Sequence, residues 1–153
     1  MRGILNRIFG PSDTTSADKP SLERKLQLAT AALLIQVASA DFDYTEDERA
    51  EIISSLRRRF RLREDEVVDI LQETNEELKQ RIDIYSFTNL INEHFSREQK
   101  IQIIEMVWRV IYVDRHLSGF EDSMVHRLTR LMRLEHSDMI DAKLRIKEGL
   151  PSE

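Results

Sequence analysis

From Leu22 onward the apolar residues recur at helical spacing. Leu22, Leu26, Ala29, Leu33, Val37 and Ala40 form one stripe at i+3/i+4, and Leu34, Ile35 and Ala38 widen it. A helix so apolar over its second half is expected at the centre of a fold. The pattern breaks at Asp41-Phe-Asp-Tyr and restarts at Thr45, with Glu48 three residues on. That pair predicts a capping box, in which hydroxyl and carboxylate satisfy the free N–H groups of a helix start. Ile52, Ile53, Leu56 and Phe60 give the second helix its buried face. A third helix is predicted over Glu64 to Lys79, and shorter helical pieces around Tyr85 to Glu93. Ser96 and Gln99 form a second capping box, opening a helix through Ile101, Ile104, Val107, Trp108 and Ile111 that stops near Asp114. Ser118 and Glu121 form a third, opening a helix through Met124, Val125, Leu128, Leu131, Met132 and Leu134. A last helix is predicted from about Ser137 to Lys147. Alternating strand patterns are absent, so the expected fold class is all-α, a compact bundle of about seven helices.

Ahead of the bundle, Ile4, Leu5, Ile8 and Phe9 make a short amphipathic tip with Arg2 and Arg7. A Gly-, Pro-, Ser- and Thr-rich stretch from Gly10 to Pro20 then reads as a linker. The expected division is tip and linker over 1–20 and a single helical domain over 21–150. The tip either packs back on the domain or frays, or it is a weak anchor to a membrane surface or partner. No small-residue cleavage site follows it, and the longest uncharged run, Leu26 to Ala40, is shorter than the ~20 apolar residues of a membrane span. Neither a signal peptide nor a membrane-spanning helix is therefore expected.

Composition narrows the chemistry. The chain has 153 residues, one domain's worth, and no cysteine. Disulfides, thiolate metal sites and cysteine nucleophiles are excluded together, and a reducing, cytoplasmic setting is expected. A net charge of −5 is the wrong sign for a nucleic-acid coat, so nucleic acid is not the expected partner. With 4 glycines, no phosphate loop and no dinucleotide fingerprint, close backbone approach to a nucleotide is not expected either.

The two halves echo each other. Asp41, Thr45 and Glu48 recur as Asp114, Ser118 and Glu121 at a displacement of 73 residues, with Val37 matching Val110 and Ile52 matching Val125. After Leu56 the register slips by one. Two capped helix hairpins related by a pseudo-twofold axis are expected. The segments Ala38-Ser-Ala-Asp-Phe-Asp-Tyr-Thr-Glu-Asp-Glu48 and Tyr112-Val-Asp-Arg-His-Leu-Ser-Gly-Phe-Glu121 resemble the paired Asp-then-Glu motifs of the TerB-like tellurite-resistance family, a module similar to the N-terminal part of a membrane-tethered DnaJ-type co-chaperone. The resemblance spans about Leu22 to Ile146. It implies a compact seven-helix bundle, a bacterial cytoplasmic or membrane-peripheral setting, and a role in stress response or divalent-cation sensing. Phe42 and Arg115 stand where many relatives have glycine after the first Asp, and no His-Pro-Asp tripeptide is present, so direct chaperone recruitment is not implied.

Two regions are candidates for chemistry. Asp41, Asp43, Glu46, Asp47, Glu48 and Glu51 stand against a single Arg49. Were the two acidic loops to meet, Asp41, Asp43 and Glu48 could share a cation with Asp114, His116 and Glu121. Oxygen ligands favour Ca²⁺, Mg²⁺ or Mn²⁺, and His116 leans toward Mn²⁺ or Zn²⁺. Glu48 and Glu121 are fully accounted for as capping-box residues, and aspartates at such breaks are ordinary loop chemistry, which is the stronger reading. Position six of an EF-hand reading is Glu46 and position twelve Ile52, which excludes that motif. The second region is Arg57, Arg58, Arg59, Arg61 and Arg63, echoed by Arg127, Arg130 and Arg133. These cations either complement a helix C-terminus or meet an anionic partner: lipid headgroups, an acidic protein or, less readily, RNA. The acidic Glu64 to Glu77 stretch beside them suits protein docking or self-association. His94, His116, His126 and His136 lack metal-ligand spacing, and Trp108 is expected in the core.

The expected protein is therefore a non-enzymatic binding module with an acidic, cation-responsive face. The alternatives are a metal-independent adaptor, peripherally membrane-associated through residues 1–9, and a metal-dependent hydrolase built on the same carboxylates.

Overall fold

The computed structural model describes residues 21–39, 45–79, 84–113 and 119–149. These form seven helices: α1 (Leu22–Ala38), α2 (Glu46–Phe60), α3 (Glu64–Lys79), α4 (Ile84–His94), α5 (Arg97–Tyr112), α6 (Gly119–Leu131) and α7 (His136–Glu148). Among the described residues there is no strand, and the all-helical bundle expected from the periodicity is the architecture found. The region around Tyr85, expected as shorter pieces, is one helix of 11 residues.

Helix α1 is the axle. It packs against α2, α3, α4, α5 and α6, and from Leu26 to Ile35 every residue is buried. A helix surrounded on all sides has no use for a polar face, which is why its sequence lacks one. Its buried Thr30 donates to the Leu26 carbonyl at 2.8 Å. Thr74, Thr88 and Thr129 make the same bond to the carbonyl four residues back, so no buried hydroxyl in this set is left wanting an acceptor.

Helix α5 is the second core element and carries Ile103, Ile104, Met106, Val107, Trp108, Val110 and Ile111 inside. The Trp108 indole N–H donates to the Met139 carbonyl of α7 at 3.1 Å, and the ring stacks on Tyr112 at 5.8 Å between centroids. Charged ties repeat between first and third helices of each half. Arg24 of α1 meets Glu73 of α3 at 2.9 Å; Arg97 and Glu105 of α5 each meet α7, at Asp138 and Arg145, both at 2.6 Å.

The helix starts follow from the sequence. Thr45 and Glu48 form a reciprocal capping box at α2, and Ser96 and Gln99 another at α5. Of the third pair, Ser118 and the Glu121 side chain lie outside the described residues. The start of α7 has a reciprocal carboxylate that the sequence pattern did not suggest: Asp138 accepts from the Glu135 backbone N–H at 2.9 Å. An unpaired helix-start donor beside a buried aspartate settles this geometry.

The ends of α2 and α6 are alike in an unexpected way. Arg61 and Arg133 both adopt the left-handed conformation, at φ 56° and 59°. In each case the next residue, a leucine, donates back into the last turn, Leu62 to the Arg57 carbonyl at 3.1 Å and Leu134 to the Thr129 carbonyl at 3.0 Å. This is a Schellman ending with arginine where glycine is usual. Beyond it, the Arg63 N–H donates to Glu66 at 2.8 Å, as Glu135 does to Asp138. The same ending and restart thus recur in the second half at a displacement one residue shorter than 73, after the slip at Leu56. Val37, Val110, Ile52 and Val125 are all fully buried. These local correspondences join α1–α2–α3 to α5–α6–α7, while the helix contacts by themselves define no twofold axis.

Candidate functional site

The most highly charged concavity described lies where the end of α2 faces α5. Ser55, Arg58, Arg59 and Arg61 form one wall and Gln102, Glu105, Met106 and Arg109 the other, around a groove of about 330 Å³. The turns of α2 deliver the first set: positions 55, 58 and 59 share a face at helical spacing, and the left-handed turn at Arg61 brings a further arginine to the same rim.

The five predicted arginines divide by what they touch. Arg57 folds back on its own terminus, donating from Nε to the Leu62 carbonyl at 3.4 Å. Arg63 is taken up by the start of α3, with Nε 3.2 Å from Asp65 and 3.6 Å from Glu66. Arg58 is paired with Glu51 at 3.2 Å and also donates to the Ser54 hydroxyl at 2.6 Å. All three do local work that helix ends and i,i+7 neighbours explain, and exposed pairs of this kind contribute little net stability.

Arg59 and Arg61 are different. The Arg59 guanidinium lies over the Phe60 and Phe95 rings, 5.1 and 5.3 Å from their centroids. Its Nε is buried with no hydrogen-bond partner. Two aromatic faces hold the cation in place without neutralising it. Arg61 is exposed, and no carboxylate among the described residues pairs with it. Arg109, on the facing helix, is likewise exposed, without an ion-pair partner among the described residues. Glu105, the acid in the groove, is already engaged by Arg145 from α7. The groove therefore holds three arginines not matched by a described carboxylate. Arg109 was not among the expected residues, because only packing of α5 against α2 brings it to a site 48 residues away from Arg61 in the chain.

The predicted cation set is only partly within view. Asp41, Asp43, Asp114 and His116 lie outside the described residues, as does the side chain of Glu121. Glu48, the remaining member, is 1% exposed, and its Oε1 accepts from the Thr45 N–H at 2.9 Å and the Thr45 hydroxyl at 3.2 Å. One of its oxygens is thus committed to the start of α2. Among the described residues, no three His, Asp or Glu side chains stand close enough to hold a metal ion. Of the described histidines, His126 and His136 have rings 5.6 Å apart across α6 and α7, and His94 ends α4.

A second concavity of about 410 Å³ lies between the ends of α1 and α3, lined by Ile35, Gln36, Ser39, Asn75, Leu78 and Lys79. Its single cation, Lys79, sits 3.8 Å from Glu76. It has no array of unmatched charge comparable to the arginine groove.

Fold and surface together define a small all-helical module packed around α1, with an arginine-lined groove between α2 and α5. The chain belongs to the TerB family: the family model for tellurite resistance protein TerB matches residues 27–144, from the first buried turn of α1 into α7. No curated protein and no solved structure matches the chain. No helix among the described residues is long and apolar enough to cross a membrane.

Proposed function

We propose that this protein is a non-enzymatic TerB-family interaction module that docks an anionic partner protein in the arginine groove between α2 and α5. One observation carries the reading: Arg59, Arg61 and Arg109 converge on one concavity without described carboxylates to neutralise them. Cations serving only a helix terminus or the fold would be paired or dispersed, as Arg57, Arg58 and Arg63 are. Unmatched guanidiniums concentrate a positive potential that attracts and orients acidic groups. The adaptor needs no metal for this. Cation binding by the Asp41 and Asp114 loops, a stress-response role and membrane contact through residues 1–9 are separate proposals that rest on the sequence motifs and the family.

The test is fluorescence anisotropy with a labelled oligoglutamate peptide and the full chain. Saturable binding that weakens with salt, and is lost in the double variant Arg61→Glu, Arg109→Glu, is the expected result. Equal binding by that variant, or no binding by the native chain, overturns the reading.

A further inference from the structure

We infer that the group recognised in this groove is a phosphate monoester, presented on a phosphorylated side chain of a partner peptide. The inference deepens the docking reading above and rests on it.

The charge in the groove exceeds what a carboxylate requires. A peptide carboxylate brings one negative charge and two oxygens, and one guanidinium is enough to match it. Here three unmatched guanidiniums share one concavity. A phosphate monoester carries nearly two negative charges near neutral pH and three strong acceptor oxygens, which is the demand that clustered arginines meet.

The groove is also partly preorganised. Side-chain ordering is a large cost of binding for arginine. In this groove part of that cost is met in the free protein. Arg59 is fixed over Phe60 and Phe95, and the backbone of Arg61 is fixed in the left-handed turn by the bonds that end α2. Arg109 projects from the second half of α5, between the buried Trp108 and Val110.

The shape of the groove fits a group carried on a chain. Small-molecule pockets are mostly apolar and enclosed. This one is a groove between two helices, walled mainly by polar and charged side chains, with Met106 as its apolar member. It suits a charged group carried on an extended chain, with Ser55 and Gln102 available to flanking backbone groups.

The experiment compares three labelled peptides of one sequence, carrying serine, phosphoserine or glutamate at the central position between neutral residues, each titrated with the full-length protein. Inorganic phosphate is titrated separately and as a competitor. The phosphoserine peptide is expected to bind at least about tenfold more tightly than the other two, with inorganic phosphate competing only at much higher concentration. Arg61→Gly is the central variant, because glycine suits the left-handed backbone and takes the guanidinium away with the rest of an exposed side chain. It should weaken phosphopeptide binding about tenfold without lowering the melting temperature, and Arg109→Gln should do the same to binding. If serine and phosphoserine peptides bind alike, or Arg61→Gly binds normally, the inference is overturned. Equal binding of the glutamate peptide leaves the docking reading standing and removes only the phosphate claim, whereas failure of every peptide removes both. Inorganic phosphate binding as tightly as the peptide would make the site one for the free ion and overturn the peptide assignment.

Discussion

Helices α2 and α6 end in the same way and are put to different uses. Each finishes on a left-handed arginine followed by a leucine that donates into the last turn. At α6 the neighbouring elements close the end. Asn92 of α4 donates to the Leu131 carbonyl at 2.8 Å, and Lys100 of α5 donates to the Met132 carbonyl at 2.9 Å. Two carbonyls that a helix cannot satisfy internally are thus capped from within the bundle. At α2 the corresponding turn is finished by its own chain, through Arg57 and the start of α3, and the facing helix supplies Gln102 and Arg109 across an open groove. A local motif that specifies only how a helix stops becomes a structural joint in one half and a charged concavity in the other. What surrounds the turn, rather than the turn, decides which.

The comparison can be broken by removing what closes the α6 end. Asn92→Ala strips the Leu131 carbonyl of its partner and should cost about 1–2 kcal/mol in urea unfolding, the penalty of a partly buried acceptor left without a donor. Gln102→Ala, in the open groove, should change stability by no more than about 0.5 kcal/mol. Equal costs would mean that the two ends are not distinguished in the way described.

The helix starts offer a matched pair with a smaller effect. Thr45→Ala and Ser96→Ala each remove a capping hydroxyl, from α2 and α5, and each should destabilise by about 1 kcal/mol. Unchanged unfolding midpoints would remove the caps from the account of why these helices begin where they do.

Substituting the two left-handed arginines sharpens the contrast further. Arg61→Gly and Arg133→Gly should both stabilise the fold, by roughly 0.5–1 kcal/mol, since each relieves the same backbone strain. Only the first should weaken anion binding. Loss of binding in both would place the recognition outside the groove.

The smallest effect expected is on pH dependence. Burial, and secondarily the Arg133 guanidinium, hold the Lys100 ammonium below its usual range. The folded state therefore gives up this proton more readily than the unfolded chain. Between the lowered folded value and the ordinary lysine value of 10.5 the unfolded state binds more protons, so stability rises with pH in that window. Relative to Lys100→Gln, the native chain should gain stability as the pH is raised toward 10.5, and a flat difference between the two would contradict it.

Much of this architecture is legible in the residues. The all-round apolar run of α1 announces a buried axle, and the Thr45–Glu48 and Ser96–Gln99 pairs mark two helix starts to the residue. The TerB resemblance, carried by the Asp and Glu spacing, agrees with the family match over residues 27–144. The Leu134 that helical spacing places in the sixth helix is instead the buried residue just beyond its end. The helical period continues past the left-handed turn by coincidence, and only backbone conformation reveals the stop. The cap by Asp138 escaped the pattern because the residue it serves is a glutamate rather than a serine or threonine.

The sequence by itself determined the class of fold, because hydrophobic period and capping chemistry act within a few residues of each other along the chain. It also determined that basic side chains crowd the end of α2. Which of them remain unmatched was decided only in three dimensions. Ion pairing depends on which carboxylates neighbouring helices bring within a few ångströms, and Arg58 finds Glu51 while Arg59 finds two aromatic rings. Arg109 joins the site solely because α5 packs beside α2. A run of like charges fixes a local density, but charge balance is a property of the packed surface.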